Sequence, residues 1–349
     1  MFTTKNGEQV FVIDGHVALW DGSPANQRNR HGEEFINCFY NYHKISPKEY
    51  YWPREKFERY DESEFMKDLF QDGYVDMAIF QPAYLGEFYK NGFGNLQRNW
   101  AITKKNPDRL IANGWWDPRN GEMGLEQLER EAETYKLKGV KLYTADWNGS
   151  SKGYKLSDPW AQRYLEKCVE LGIKNIHVHK GPTILPLNRD AFDVADVDDA
   201  ASSFPDLNFI VEHVGLPRLA DFCWIATQEP NVYAGLAVAI ALIHTRPGYF
   251  SEIISELLYW LGSDRILFGS DYAIWHPKWI IEEFMELELS EELAAEANHT
   301  LTLEIKKKIM GENCARLYDI DIGEQCARLG LPALAEQQAK DVGVGAGVA

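Results

Sequence analysis

The chain offers little for disulfide chemistry. Its five cysteines, Cys38, Cys168, Cys223, Cys314 and Cys326, are scattered, odd in number and never arranged as CxxC. That excludes a disulfide framework or a zinc finger and suits buried thiols in a reducing compartment. Basic residues are also few: 36 Lys and Arg against 53 Asp and Glu leave a net charge of −17. Such a surface repels polyanions, so neither nucleic acid nor an anionic membrane is expected as a partner. No apolar run approaches the roughly 18 residues of a membrane span. Residues 1–7 lack the charged-then-apolar layout of a signal peptide, and the expected location is cytoplasmic. Material for a core is plentiful: 45% of the 349 residues are hydrophobic, with 11 Trp, 17 Tyr and 17 Phe. The length accommodates one large α/β barrel or two ordinary domains.

Short apolar segments alternate with amphipathic ones along nearly the whole chain, which favours a parallel sheet. The first strand candidate reads Val10-Phe11-Val12-Ile13-Asp14-Gly15-His16, and others fall at 76–82, 110–117, 139–144, 175–180, 208–213, 232–238 and 265–271. Eight is the number that closes a (β/α)8 barrel of the TIM type. Helical periodicity fits 62–71, 125–137, 159–171, 217–227 and 250–261, with Ser157-Asp158-Pro159 opening one helix and Leu171-Gly172 closing it. The expectation is a single α/β barrel domain over 1–330 that ends in a helical segment. A long first excursion over 20–61 is a candidate lid or partner surface, and 331–349 is expected to be a loose tail.

Several strands end in metal-ligand residues followed by glycine, which places those side chains at the C-terminal rim where barrel active sites lie. Asp14, His16 and Ala18 share one face by alternation, and so do His177 and His179. Imidazoles converging with Asp271, in Phe268-Gly269-Ser270-Asp271-Tyr272, suit Zn, Fe or Mn better than Ca or Mg. His213 follows Glu212 in a strand-to-glycine turn, so alternation sends the two to opposite faces. The inward one is a candidate ligand or general acid/base. Lys141 is a candidate for a substrate carboxylate, for bridging two metals if carbamylated, or for plain snorkelling. His244 and His276 read as surface or supporting histidines. Glu33 and Glu34 are either solvated charge or a carboxylate supplied to the site.

These segments resemble the amidohydrolase superfamily, specifically its amidohydrolase-related branch, which includes aromatic-acid decarboxylases and lactone hydrolases. The resemblance runs from about Ile13 to Asp319. It rests on Ile13-Asp14-Gly15-His16, His179-Lys180-Gly181, Glu212-His213-Val214-Gly215, Phe268-Gly269-Ser270-Asp271-Tyr272 and the closing segment Ile309-Met310-Gly311-Glu312-Asn313-Cys314-Ala315-Arg316-Leu317-Tyr318. It implies a (β/α)8 barrel with a metal held by His16, His179 and Asp271 and an acid/base at His213. One departure stands out: where the family has His-x-His after its first strand, the second position here is Ala18. Asp14 below and His177 across the barrel, both inward by parity, are the substitutes on offer. That exchange is similar to the oxygen-activating offshoot that includes 2-aminoisobutyrate hydroxylase. The offshoot implies a dinuclear Fe- or Mn-containing centre and a paired, related subunit.

The leading expectation is therefore hydroxylation of a small carboxylate-bearing substrate with O2 and a reductase system. His16, His177, His179, Asp271 and Asp14 would be metal ligands, and His213 with Asp271 would handle protons. The alternative is hydrolysis or non-oxidative decarboxylation at one divalent metal, Zn included. A third reading is a silent subunit supporting an active paralogue, in a homo- or hetero-oligomer.

Overall fold

The computed structural model describes residues 1–332, so the tail expected over 331–349 lies almost wholly outside the described residues. A two-stranded antiparallel ribbon, β1 (Phe2–Thr3) and β2 (Gln9–Val10), precedes the barrel. The eight barrel strands follow: β3 (Ile13–Val17), β4 (Met77–Phe80), β5 (Leu110–Ala112), β6 (Gly139–Leu142), β7 (Asn175–His179), β8 (Asn208–Glu212), β9 (Val232–Gly235) and β10 (Ile266–Leu267). All their pairings are parallel, in the orders β3-β4-β5 and β6-β7-β8-β9-β10. A parallel bridge from Gly114 to Val140 joins the two runs. The ring closes where the Gly15 amide donates to the Phe268 carbonyl (3.0 Å) and the Asp271 amide to the His16 carbonyl (3.1 Å).

Apolar alternation explains these strands. β3, β4, β6 and β7 are buried along their whole length because helices cover one face and the barrel interior the other. Below the site the interior is packed by Ile13, Met77, Ile79, Ile210 and Leu267, against which Cys314, Ala315 and Tyr318 of the closing segment fit. The barrel is plugged at that end, as its residue layers require. The outer helices track the sequence periodicity: Pro159–Leu171 begins with its proline in the first turn and stops at Gly172, whose φ is 71°. Others start slightly earlier than expected, as with Gly121–Tyr135 and Pro247–Leu261. Among the described residues, no helix is long and apolar enough to cross a membrane.

Strands are shorter than their apolar runs, most of all β10, because the backbone leaves extended geometry at the rim. His213 (φ 65°), Val214 (φ 49°), Val238 (φ 66°) and Asp271 (φ 59°) all adopt left-handed conformations just past β8, β9 and β10. For non-glycine residues these cost on the order of 1–3 kcal/mol each and persist only where packing enforces them. The excursion over 20–61 is not a bare loop: it carries the helix Arg30–His43, which presents Phe35, Ile36 and Phe39 to the core.

Candidate active site

The rim of β3, β4, β6, β7, β8 and β10 encloses a small cavity lined on its polar side by His16, Gln81, Lys141, His179, His213 and Asp271. Trp20, Phe39, Tyr42, Phe93, Tyr143 and Trp275 form its aromatic wall. The space open to the centre of a water molecule is about 40 Å³. That is enough for a few waters or the reacting end of a small substrate. The excursion thus contributes wall rather than only cover, through Trp20, Phe39 and Tyr42.

Proton positions follow from the hydrogen bonds. His213 Nδ1 lies 2.8 Å from the Ala237 carbonyl, which accepts only, so Nδ1 carries the proton. The other nitrogen, Nε2, must then accept, and it faces His179 Nδ1 at 3.0 Å. His179 therefore donates from Nδ1 and keeps its lone pair on Nε2, a buried atom without a hydrogen-bond partner. Burial, reinforced by His213, Lys141 and His16, holds His179 well below the usual imidazole range. Burial followed by Lys141 and His16 brings His213 down to about 3. Both rings are neutral at pH 7. The close approach is possible because residue 181 is glycine: a Cβ there would sit 2.5 Å from His213 Cβ.

His16 stands between two carboxylates, with Nε2 3.5 Å from Asp271 Oδ1 and Nδ1 3.0 Å from Glu212 Oε2. The latter contact is close but not aligned for a hydrogen bond. Burial raises Asp271 above the usual carboxylate range while His16 and Lys141 pull it back. Lys141, lowered by burial against the pull of Glu212 and Asp271, has its ammonium 3.8 Å from Glu212 Oε1. The Lys141 Nζ and the Tyr143 hydroxyl also lack hydrogen-bond partners.

The remaining expected residues lie elsewhere. Asp14 is inward, as alternation requires, but its carboxylate accepts from the Ser270 amide (2.9 Å), the Ser270 hydroxyl and the His16 amide (3.2 Å). It does not line the cavity. Burial raises it to about 6 against those hydrogen bonds. His177 is one layer deeper than His179, and both its ring nitrogens are engaged, Nδ1 with Glu212 Oε1 (2.7 Å) and Nε2 with the Tyr318 hydroxyl (2.8 Å). Asp14 and His177 are thus both hydrogen-bonded within the protein, and neither lines the cavity beside His16 and His179. Glu212 and His213 do not face opposite sides either. Glu212 follows strand parity into the barrel, and the left-handed turn at His213 sends the second side chain inward too. Glu34 pairs with His31 (2.8 Å), Glu33 is exposed, and neither lines the cavity. His244 pairs with Glu283 (2.8 Å), and His276 caps the helix Pro277–Glu286. Gln81, Tyr143 and the aromatic wall were not singled out by the sequence; only the fold brings them to the rim.

Among the described residues, no three His, Cys, Asp or Glu side chains already stand as a metal cage. The donor set nevertheless fits a divalent transition metal. The unpartnered Nε2 of His179 and the His16–Asp271 pair line one cavity, a two-imidazole, one-carboxylate combination.

A family model described as amidohydrolase matches residues 13–320, and the chain belongs to that family. Its fold is similar to that of an uncharacterised TIM-barrel protein from Bordetella bronchiseptica, with 18% identity and a TM-score of 0.65, covering 88% of this chain and 98% of that one. It is also similar to a 2,6-dihydroxybenzoate decarboxylase complexed with 2,6-dihydroxybenzoate, with 15% identity, a TM-score of 0.57, and 89% and 100% of the two chains covered. A 5-carboxyvanillate decarboxylase from Novosphingobium aromaticivorans, with bound manganese, matches at 15% identity and a TM-score of 0.56, covering 92% and 100%. None of the curated proteins matches the chain.

Proposed function

We propose that this chain is a metal-dependent, non-oxidative decarboxylase of a small aromatic acid. One observation carries the reading. Three buried polar atoms without a hydrogen-bond partner, His179 Nε2, Lys141 Nζ and the Tyr143 hydroxyl, belong to residues that line a single cavity together with Trp20, Phe39, Tyr42, Phe93 and Trp275. That layout suits a flat ring with an anionic group at one end. His16, His179 and Asp271 would hold the metal, which when bound supplies Lewis-acid charge to a substrate oxygen. Lys141 pairs with the substrate carboxylate, and the Tyr143 hydroxyl donates a hydrogen bond to a ring substituent. The aromatic wall orients the ring and keeps water off the carbon that loses CO2. The carbon–carbon bond breaks with its electron pair left on that carbon, CO2 departs, and a proton takes its place. Asp271, which lines the cavity and whose carboxyl burial raises above its usual range, holds and delivers that proton, whereas the one N–H of His213 is committed to the Ala237 carbonyl.

The names of the solved decarboxylases support this reading, as do the manganese and the aromatic acids held by two of them. Oxygen-dependent hydroxylation finds no such support, and the residues expected to rebuild a dinuclear centre, Asp14 and His177, are occupied elsewhere. The test is an anaerobic assay of the protein loaded with Mn2+ or Zn2+ on a panel of hydroxybenzoic acids. One CO2 should be released per acid consumed. Turnover that requires O2 and a reductant would reverse the assignment in favour of the hydroxylase.

A further inference from the structure

Glu212 is the last residue of β8, pairs in register with His179 and is buried beneath the cavity without lining it. It touches three groups at once: His16 Nδ1 at 3.0 Å, His177 Nδ1 at 2.7 Å and Lys141 Nζ at 3.8 Å. The space for this carboxylate is made by Gly235, where a Cβ would fall 2.6 Å from Glu212 Oε2. The carboxylate can only accept, which sets the donor roles around it. The Asn113 amide donates to the Tyr318 oxygen (2.8 Å), and the Tyr318 O–H has two acceptors, His177 Nε2 at 2.8 Å and the Asn113 side-chain oxygen at 3.2 Å. His177 carries its proton on Nδ1 and donates it to Glu212 Oε1. The second carboxylate oxygen, an acceptor only, is left facing His16 Nδ1.

We propose that Glu212 is the positioning residue of the site, holding the His16 proton on Nδ1 so that the lone pair of Nε2 points into the cavity toward Asp271, with His177 and Tyr318 fixing the carboxylate from beneath. This rests on the reading above that His16 serves the metal. The site then has two separate tautomer locks. A backbone carbonyl sets His179 through His213, and a carboxylate sets His16. A carboxylate behind a ligating histidine both fixes the ring and strengthens it as a donor.

Ring-nitrogen NMR of 15N-histidine-labelled, metal-free protein tests this directly. In the wild type the His16 Nδ1 should carry an attached proton. In Glu212→Gln, His16 should become a mixture of tautomers while His179 keeps its own, and the Kd for Mn2+ by calorimetry should rise 10- to 100-fold. A wild-type His16 with a bare Nδ1 overturns the proposal, and so does a Glu212→Gln protein that keeps both the tautomer and the Mn2+ affinity. If Glu212→Gln does not fold, Gly235→Ala displaces the same carboxylate with one methyl group. An unchanged His16 ring in that variant overturns the proposal equally. The spectra contain neither metal nor substrate, so an inactive decarboxylase assay leaves them standing. A missing lock in turn leaves the assigned reaction untouched.

Discussion

His177 and His179 sit two residues apart on one strand, face the same interior and are both buried, yet they do opposite things. At the rim, His179 has one nitrogen committed to His213 and the other bare in the cavity. One layer down, His177 has both nitrogens committed, to Glu212 and Tyr318. Residue type and parity are identical, so depth in the barrel alone separates a group available for chemistry from one that supports it. The difference matches the division of such barrels into a catalytic top face and stabilising interior layers.

The sharpest way to break the comparison is to delete each ring in turn. His179→Ala should abolish Mn2+ binding and activity while the protein stays folded, because its lone pair has no structural partner to lose. Elemental analysis and a melting curve report both. His177→Ala should act in reverse proportion. Removing one partner from a buried charged cluster costs about 3 kcal/mol of stability. Metal affinity should fall only about tenfold, the lower end expected when a group behind a ligand is lost. If His177→Ala strips metal as completely as His179→Ala, the two layers are not distinct, and a rebuilt, two-metal site regains its footing.

How far this contrast could be read from the sequence depends on how local each fact is. The alternation that places Asp14, His16, His177 and His179 inward is local, and the structure keeps it. The same rule failed at Glu212 and His213 because it presumes that the strand continues, whereas His213 turns left-handed. Nothing in Glu212-His213-Val214-Gly215 announces that turn beyond the glycine that follows it. The partners that decide depth are remote in sequence: Tyr318 meets His177 across 141 residues and Ser270 meets Asp14 across 256. Sequence spacing therefore gave the rim its candidates but could not tell that Asp14 and His177 were already engaged. The aromatic wall was hidden for a related reason, since Phe39 and Tyr42 come from a helix in what reads as an irregular excursion.

Two carboxylates repeat the contrast, and for the second of them, Asp146, the expected effect on the site is smallest. Burial alone would raise Glu212, but the close His16 and Lys141 side chains, with the hydrogen bond from His177, hold it well below the carboxylate range. Asp146 is raised from 3.8 to about 7, by burial first and then by Asp117, against Arg119 and the amides of Trp147 and Leu85. A carboxyl with a raised folded value stabilises the fold fully below its unfolded value and loses that contribution as pH climbs through the folded one. Asp146 should therefore lower the melting temperature progressively between about pH 4 and pH 7, whereas Glu212 contributes nothing of that sign. Asp146→Asn cannot ionise, so its melting temperature should fall less than the wild type's across that window, with Mn2+ affinity unchanged. Parallel melting curves for the two proteins would show that Asp146 keeps its charge in the fold, and that burial beside Asp117 does not distinguish it from Glu212.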